Sequence, residues 1–251
     1  IEEIIMPTIY RDHPVLTISE SSKREIISLG ITNPSQISVI HPGIVLPEKK
    51  SFVKTKHPSI CYVGRLKPYK NVDVALKAFK TVLEKHPKAH FTIAGYGESS
   101  STLKRLTKEL GIEDQVTFLG KVTEQEKNDL YASNWIAVQP SMIEGWGITV
   151  IEANAYGTPV IASNVKGLRD SVRNGETGIL VEAGNPEGLA AALHQLLNSK
   201  TRLKAFSTAA KQWATNFSWD SATEKIEHIL TKELQGGKVK KEDFSLSLKE
   251  L

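Results

Sequence analysis

Two glutamates, Glu144 and Glu152, lie eight positions apart in the stretch SMIEGWGITVIEANAYG. The residues before the Gly-Trp-Gly step predict a strand, and those after it predict a helix that closes at Gly157. Eight helical residues rise roughly 12 Å, so the two carboxylates could contact opposite ends of one extended ligand. Carboxylates accept hydrogen bonds from paired hydroxyls, as in sugars, and Gly145 and Gly147 would leave the helix N-terminus open to a phosphate. Because 28 of the 251 residues are acidic, the setting after a strand carries more weight than the spacing.

A second candidate group follows the apolar run ICYVG, where the sequence continues RLKPYKN. Arg65 would leave the sheet at the carboxyl end of that strand, and Lys70 would start the next helix. Two fixed cations beside the free N–H groups of a helix N-terminus suit a diphosphate. Taken alone, an arginine and a lysine five positions apart indicate nothing. The GYGE stretch at 95–98 lacks the third glycine of the dinucleotide-binding fingerprint, and we interpret it as a structural turn.

Metal ligands are not evident in the sequence. The chain has no Asp-x-Asp pair, and we interpret none of its seven histidines as a metal ligand. His41, which precedes a Pro-Gly step, is interpreted as a loop residue. The single cysteine, Cys61, excludes an internal disulfide, and its apolar surroundings predict a buried strand thiol. We therefore expect no metal and no cofactor.

Short apolar runs alternate with helical patterns from about residue 60 onward. The runs are rich in Val and Ile and most end at Gly, Pro or Ser, which is typical of strands buried on both faces of a parallel sheet. The alternation predicts an α/β fold with a doubly wound, Rossmann-like parallel sheet, whose ligands bind beyond the carboxyl ends of the strands. The runs are ICYVGR (60–65), HFTIAG (90–95), VTFLG (116–120), WIAVQP (135–140), PVIAS (159–163) and GILVE (178–182).

The flanking segments predict a second unit and its connections. The start of the chain contains a strand, a helix and a strand (VLTIS, ESSKREIISLG and ISVIHPG), a βαβ unit that cannot bury its own sheet faces. We interpret it as the remnant of another domain. Trp213 and Trp219 are predicted to pack against the main domain. The predicted divisions are 1–45 for the remnant, 46–58 for a linker, 59–217 for the main domain, 218–235 for a last helix and 236–251 for a flexible tail.

Composition and charge limit the partners. The chain has 40% hydrophobic and 24% charged residues, as a soluble globular protein does. A net charge of +4 fits a phosphate-bearing ligand or an anionic membrane surface but is too weak to indicate nucleic acid.

No apolar run approaches the roughly 18 residues that span a bilayer. Because the chain opens IEEIIMPTIY, without a basic segment or a starting Met, we expect no signal peptide. We interpret the sequence as a piece of a longer cytoplasmic protein that is compatible with peripheral contact at the inner face of a membrane.

Four motifs in this order, GRLKPYK, FTIAGYGE, VTFLGKV and EGWGITVIEANAYGTPVIAS, resemble the retaining family-4 glycosyltransferases of the GT-B fold. The resemblance covers roughly residues 15–233. It implies two Rossmann-like domains that face each other across a cleft, with the donor in the C-terminal domain and the acceptor in the N-terminal one. The present chain would be the C-terminal, donor-binding half of such a fold with a remnant of the N-terminal domain.

The resemblance also implies roles for individual residues. Glu144 would contact the transferred sugar close to the reacting carbon, as the catalytic residue, and Glu152 would bind the ribose hydroxyls. Asn71 and Trp146 depart from the commoner Gly and Phe of the family. The remaining donor-binding residues would be Gly64, Arg65 and Lys70 at the diphosphate, Val122 near the base, and Gly145, Trp146, Gly147 and Ile148 at the phosphate or sugar.

The implied reaction is metal-independent transfer, with retention, from a UDP- or GDP-sugar to a glycan, lipid or small-molecule acceptor. Because the acceptor half is missing, we expect this chain alone to bind donor weakly and to transfer poorly or not at all. Three alternatives stay open: a nucleotide-sugar epimerase of the same fold, a phosphorylase-like enzyme with a Lys-bound pyridoxal cofactor, and a non-catalytic nucleotide-sugar-binding module.

Overall fold

The computed structural model describes residues 2–48 and 51–235. The elements of its first unit are α1 (Glu2–Tyr10), β1 (Val15–Thr17), α2 (Glu20–Ser28) and β2 (Ile37–Val39). The strands β1 and β2 pair in parallel, which confirms the predicted βαβ order with shorter strands. Ser19 follows β1 and caps α2, because its side chain accepts a hydrogen bond from the Ser22 N–H. The sequence analysis assigned no element to the residues of α1.

A six-stranded parallel sheet forms the centre of the second unit. Its strands are β3 (Ser59–Val63), β4 (His90–Ala94), β5 (Val116–Gly120), β6 (Ile136–Gln139), β7 (Val160–Ser163) and β8 (Gly178–Val181). Their order across the sheet is β5-β4-β3-β6-β7-β8. Each predicted apolar run forms one of these strands, so all six predictions are confirmed.

Helices connect the strands and continue the chain after β8. They are α3 (Val72–Lys85), α4 (Ser100–Glu109), α5 (Glu124–Ser133), α6 (Ile148–Ala155), α7 (Leu168–Ser171), α8 (Pro186–Leu197), α9 (Lys200–Ala214) and α10 (Trp219–Gln235). The sequence analysis did not identify α5, which begins with a capping box between Thr123 and Glu126. In the described part of the chain, no helix combines the length and apolar character needed to cross a membrane.

Two apolar clusters cover the two faces of the sheet. Ile60 and Tyr62 of β3 belong to the cluster that contains residues of α3 and α8, whereas Cys61 belongs to the cluster that contains residues of α5 and α6. Successive strand residues thus point to opposite helical layers, which confirms the doubly wound, Rossmann-like α/β fold. The buried Cys61 thiol is confirmed as well, and burial raises its pKa to about 12.

The predicted linker is partly built into the second unit. The Lys54 ammonium donates hydrogen bonds to the carbonyls of Tyr131 (3.2 Å) and Tyr156 (3.4 Å) and to the Thr158 hydroxyl (2.6 Å). Lys54 therefore caps the carboxyl ends of α5 and α6. Burial lowers its pKa to about 8. The boundaries of the predicted divisions stay a prediction, and the predicted tail, 236–251, lies outside the described residues.

The chain passes between the units twice, and the two passages lie side by side. The Ile44 N–H donates to the Phe217 carbonyl at 2.8 Å, and Ile44 forms a parallel bridge with Ser218. Gly43 lies so close to the Trp219 backbone that a Cβ there would overlap it. Trp213 packs as predicted, with its indole N–H 2.8 Å from the Ser171 carbonyl. The prediction for Trp219 is wrong: its side chain is 54% exposed, because α10 begins at this passage rather than on the domain surface.

Candidate active site

The carboxyl ends of β3 and β6 form the frame of the site. These strands are neighbours at the position where the strand order reverses, with β4 and β5 on one side and β7 and β8 on the other. The crevice at such a reversal is the usual ligand site of an open α/β sheet. The segment after β3 carries Arg65 and Lys70, and the segment after β6 carries Glu144. Strand order therefore brings the two sequence-predicted groups to one place.

The GYGE turn fixes the segment that carries Gly64 and Arg65. Gly64 N–H donates to the Ala94 carbonyl at 3.0 Å, and Leu66 N–H donates to the Tyr96 carbonyl at 2.9 Å. A Cβ on Gly95 would overlap the Gly64 carbonyl. The first glycine of GYGE is thus required for close packing of two backbone segments. We conclude that this stretch is a structural turn, as predicted, and that Gly64 belongs to the turn's packing partner.

Lys70 and Glu144 form a buried ion pair. The Lys70 ammonium donates to Oε1 of Glu144, and their side chains are 10% and 14% exposed. Gln139 Nε2 (2.8 Å) and Ser141 Oγ (3.0 Å) donate to the same oxygen. Among the described residues, Oε2 of Glu144 accepts no hydrogen bond. Glu144 is therefore held in place through one oxygen while the other stays available to a ligand hydroxyl.

A short 3-10 turn, Pro68–Lys70, places Lys70 at this position. It ends at Asn71, whose φ of 51° lies in the left-handed region. Asparagine tolerates this conformation better than most residues with a Cβ, so the departure from Gly at this position preserves the turn. Met142 N–H donates to the Tyr69 carbonyl at 2.8 Å. This bond ties the turn to the loop that carries Glu144.

Arg65 lies at the exposed rim of the same crevice. Its guanidinium donates to the Tyr69 hydroxyl at 2.9 Å, which keeps the charge beside the turn that carries Lys70. Tyr62 supports the backbone there, with its hydroxyl donating to the Arg65 carbonyl at 2.9 Å. Burial, and then the Glu144 carboxylate, raise the pKa of Tyr62, so this phenol stays neutral. Arg65 has no carboxylate partner among the described residues and is available to an anion.

The N-terminus of α6 adjoins Glu144 and is not capped by a side chain. Gly147 is its N-cap residue, with a φ of 82°, and Ile148 is the first helical residue, 37% exposed. A Cβ on Gly147 would lie 2.7 Å from Leu168 Cδ2. Glycine is therefore required both by the backbone conformation and by the neighbouring side chain. The uncapped N–H groups carry the partial positive charge that attracts phosphates.

Gly145 and Trp146 face the first unit. A Cβ on Gly145 would lie 3.1 Å from Ile18 Cδ1, which belongs to the segment between β1 and α2. The Trp146 indole is buried and stacks on His41 with ring centroids 4.0 Å apart. The His41 Nδ1 lies 2.9 Å from the Ile18 carbonyl, so His41 is a loop residue with a packing role. With its ring enclosed, Trp146 can offer a ligand only its backbone.

Glu152 lies on α6 and pairs with a lysine of α5. The Lys127 ammonium is 2.8 Å from Glu152 Oε1 and 2.7 Å from Glu124 Oε2. The Tyr131 hydroxyl approaches Glu152 Oε2 at 3.5 Å, which leaves this oxygen weakly satisfied. Burial alone would lower the pKa of Lys127, but its hydrogen bonds to Glu124 and Glu152 outweigh that effect and raise it. Lys127 is therefore charged at neutral pH.

A cavity of about 160 Å³ lies beside Glu152. Lys127, Ile148 and Trp219 are among its lining residues, so the exposed tryptophan forms part of a wall. Val122, the residue predicted near the base, does not line this cavity. It is half-buried and packs against the apolar cluster that contains Tyr131.

The sequence analysis missed several residues of the site. Gln139 is 4% exposed although it is polar, and a polar residue at the end of an apolar run is a usable signal for a site. Ser141, two positions later, has no such signal. Lys127 and Tyr131 lie on α5, a helix with weak apolar periodicity that the sequence analysis did not identify.

The arrangement suits an extended anion with hydroxyl groups at both ends. Two cations and an uncapped helix N-terminus surround the crevice, and one carboxylate oxygen on each side can accept hydrogen bonds. Within residues 2–48 and 51–235, no group of three or more His, Cys, Asp or Glu side chains could hold a metal ion. The positive charges that the described site offers to an anion are those of Arg65, Lys70 and the start of α6.

The sequence model of the glycosyl transferases of group 1 matches residues 47–213. This match covers the second unit and its site, and the chain belongs to that family. It is 34% identical over 226 residues to the D-inositol 3-phosphate glycosyltransferase of Rhodococcus jostii, covering 83% of this chain and 50% of that protein. It is 32% identical over 235 residues to an uncharacterized glycosyltransferase of Methanocaldococcus jannaschii, covering 88% of this chain and 60% of that protein. The chain thus spans about half the length of these curated relatives.

Solved glycosyltransferase structures have the same fold. Anabaena HepE, determined with UDP and glucose, superposes with a TM-score of 0.77 at 20% identity, covering 87% of this chain and 63% of that one. Staphylococcus aureus TarM, in a complex with UDP, superposes with a TM-score of 0.78 at 22% identity, covering 86% of this chain and 43% of that one. At these identities the likeness establishes the fold, the α/β sheet expected for the C-terminal half of a GT-B enzyme.

Proposed function

We propose that this chain supplies the donor-binding half of a retaining, metal-independent glycosyltransferase that takes its sugar from a nucleotide-diphosphate sugar. The observation that carries the proposal is the crevice at the strand reversal. There the Lys70–Glu144 pair, Arg65 and the uncapped N-terminus of α6 converge. Cations and a carboxylate side by side match a diphosphate that is bonded directly to a sugar.

The diphosphate would lie between Arg65, Lys70 and the N–H groups of Gly147 and Ile148. Gly64, at the start of the same loop, would let the phosphates approach the backbone closely. Arg65 forms no ion pair with a described carboxylate, and Lys70 can share its ammonium between Glu144 and a phosphate oxygen. Negative charge develops on the diphosphate as the sugar departs, and fixed cations and helix dipoles stabilise such charge without reorganisation. The leaving group would thus be stabilised by the protein itself, with no metal.

Glu144 would act on the sugar as the catalytic residue. Its Oε1 is held by three donors, and its Oε2 would accept from a sugar hydroxyl and steady positive charge on the ring. Gly145 and Trp146 would border the sugar through their backbones. We propose that the bond between the anomeric carbon and the β-phosphate oxygen breaks while the acceptor oxygen adds to the same face. The acceptor proton passes to the departing phosphate oxygen, which gives retention without a protein nucleophile.

Glu152 would bind the ribose hydroxyls of the donor through Oε2, and Val122 would lie near the base. The structural relatives HepE and TarM were each determined with UDP, which favours UDP over GDP as the first nucleotide to test. Several relatives are named D-inositol 3-phosphate glycosyltransferases, and an inositol phosphate is therefore one small-molecule acceptor to test beside glycan and lipid acceptors. A cytoplasmic location and peripheral contact with a membrane stay predictions.

Calorimetric titration with UDP, UDP-glucose, UDP-N-acetylglucosamine and the corresponding GDP-sugars tests the proposal. We expect at least one nucleotide sugar to bind and Arg65→Ala to weaken that binding about tenfold or more, because one charge-assisted contact with a phosphate is lost. Arg105→Ala, an exposed change on α4, is the control that should leave binding unchanged. Failure of every nucleotide sugar to bind would contradict the proposal.

Products distinguish the alternatives to a transferase. A protein that also contains the acceptor-binding half should consume donor only when acceptor is present and should form the α-linked product from an α-linked donor. Conversion of a nucleotide sugar without acceptor would favour an epimerase, and a coloured, pyridoxal-containing protein would favour a phosphorylase. Tight donor binding without any turnover would favour a binding module. The present chain alone is expected to bind donor weakly and to transfer little or nothing.

A further inference from the structure

A second cavity lies at the amino ends of the strands, whereas the crevice lies at their carboxyl ends. It has a volume of about 290 Å³, and Lys54, Trp135 and Gly157 line it where the chain enters β3, β6 and β7. Lys200, Lys204 and Ser207 of α9 form its other side. The proposed donor site lies beyond the carboxyl ends of the same strands. The two sites are thus separated by at least a strand length, roughly 13 Å for four residues.

The polar groups of this cavity are cationic or hydroxylic. Among the described residues, its lining contains three lysines and no carboxylate. Lys54 is already bound to two carbonyls and a hydroxyl. By contrast, Lys200 and Lys204 are exposed, and their ammonium groups form no ion pair or hydrogen bond within the described part of the chain. They lie four positions apart on α9, where like charges repel each other.

The remaining wall is apolar and partly preformed. The Trp135 indole is fixed because its N–H donates to the Thr55 carbonyl at 2.8 Å, and Leu203 of α9 lies beside the two free lysines in the lining. Gly157 leaves room next to Ser207, because a Cβ there would lie 2.8 Å from the Ser207 oxygen. The Ser207 hydroxyl makes no hydrogen bond to any described residue, so a donor is available inside the cavity. An apolar wall with a few polar groups at one side is the usual composition of a small-molecule site.

We propose that this cavity binds an amphipathic anion, a phosphate or carboxylate head joined to one short alkyl chain or one aromatic ring. The head lies between Lys200 and Lys204 and accepts a hydrogen bond from Ser207, and the apolar body packs on Trp135 and Leu203. The head relieves the repulsion between the two lysines, and the body fills a volume close to the lower limit of roughly 300 Å³ for small-molecule sites. A dianionic nucleotide sugar with polar groups at both ends does not suit this wall.

Calorimetric titration with octyl phosphate, kept below its micellar range, tests the proposal against ethyl phosphate and octanol. We expect octyl phosphate to bind at least tenfold more tightly than either of the other probes. The double variant K200Q/K204Q should weaken octyl phosphate about tenfold or more. The matched control is K104Q/K108Q, the same change at two exposed lysines four positions apart on α4, and it should bind like the unchanged protein.

Equal binding of ethyl and octyl phosphate would overturn the apolar part of the proposal, and equal binding of octanol would overturn the anionic part. An unchanged affinity in K200Q/K204Q would overturn the location.

R65A separates this site from the donor site: it should weaken nucleotide-sugar binding and leave octyl phosphate binding unchanged. Flotation with vesicles that contain phosphatidic acid distinguishes the sources of the ligand. If the protein floats with the vesicles and K200Q/K204Q reduces this binding, the ligand is a membrane lipid. If the protein does not float with the vesicles, the ligand is a free amphiphile. Both outcomes agree with the proposal if octyl phosphate binds.

Discussion

The two glutamates of the motif occupy different kinds of environment. Glu144 lies in a loop, and its partners are Lys70, which is 74 positions away in the sequence, and two polar residues from the end of β6. Glu152 lies within a helix, and its partner Lys127 belongs to the neighbouring helix. Three donors fix the Glu144 carboxylate, whereas a single close donor and one distant hydroxyl hold Glu152.

The difference predicts that Glu144 and Glu152 contribute to different steps. A carboxylate fixed through one oxygen can direct the other at a reacting centre, because its position does not change with the ligand. A carboxylate held by one lysine can adjust to two hydroxyls of a sugar that does not react. We therefore expect changes at Glu144 to affect the rate of transfer and changes around Glu152 to affect donor binding.

The largest effect is expected for Glu144→Gln in a protein that contains both halves. Transfer should fall by roughly 100- to 1,000-fold, the range found when one electrostatic contact to the transition state is removed, while the Kd for the donor nucleotide changes only severalfold. The measurement is kcat together with calorimetric binding of UDP. Near-normal kcat would contradict the role of Glu144.

The Lys70–Glu144 pair should also stabilise the fold. Glu144→Gln leaves the buried Lys70 cation without a charged partner, and breaking such a pair costs about 3–5 kcal/mol of the free energy of unfolding. The double variant Lys70→Met/Glu144→Gln should recover part of this loss in urea denaturation. Additive losses in the double variant would mean that the two side chains do not interact.

The pH dependence of stability tests the role of Lys54, which caps the carboxyl ends of α5 and α6, the two helices that carry Lys127 and Glu152. Burial lowers the pKa of Lys54 to about 8, below its value in the unfolded chain. The unfolded state therefore binds more protons between these two values, and stability should rise with pH there.

The comparison with Lys54→Met isolates this contribution from the other groups that titrate at alkaline pH. From pH 8 to pH 10 the free energy of unfolding of the unchanged protein should increase relative to Lys54→Met, by on the order of 2 kcal/mol. A difference that is constant with pH, measured by urea denaturation, would show that Lys54 keeps an ordinary pKa in the fold.

The smallest effect is expected for Lys127→Met. Removing the lysine frees Glu152 to take other rotamers, which should raise the Kd for the donor about fivefold, as expected when one partly exposed ion pair is lost. The kcat at saturating donor should stay the same. Lys127→Arg should restore most of the affinity. A fall in kcat as large as that of Glu144→Gln would remove the distinction between the two regions.

Much of the fold follows from local sequence patterns, and less of the site does. The six strands were predictable because each is a short β-branched run buried on both faces. The helix α5 carried a readable signal in Thr123 and Glu126, but its weak apolar periodicity concealed it. Trp219 was misassigned because no local sequence pattern shows which way the first residue of a helix faces where the chain passes between two units.

The contacts within the site depend on strand order, which no local pattern contains. Lys70 meets Glu144 only because β6 lies next to β3, although β4 and β5 come between them in the sequence. The resemblance to the family placed both residues in one donor site, but it did not predict that they pair with each other in the absence of a ligand. Lys127 and Tyr131 were not predicted for the same reason, since they contact Glu152 only because α5 and α6 are neighbours in the fold.

The side-by-side passages at Ile44 and Ser218 have a mechanical consequence. Two connections that are bonded together along one short line define an axis, and a turn of the first unit about it would break the contacts of Ser21 and Arg24 with Asp170. Because Trp146 stacks on His41 beside this axis, the start of α6 lies close to the pivot and would move least. Residues of the first unit farther from this axis would move more, so under the proposed function such a turn would chiefly change the side from which an acceptor arrives.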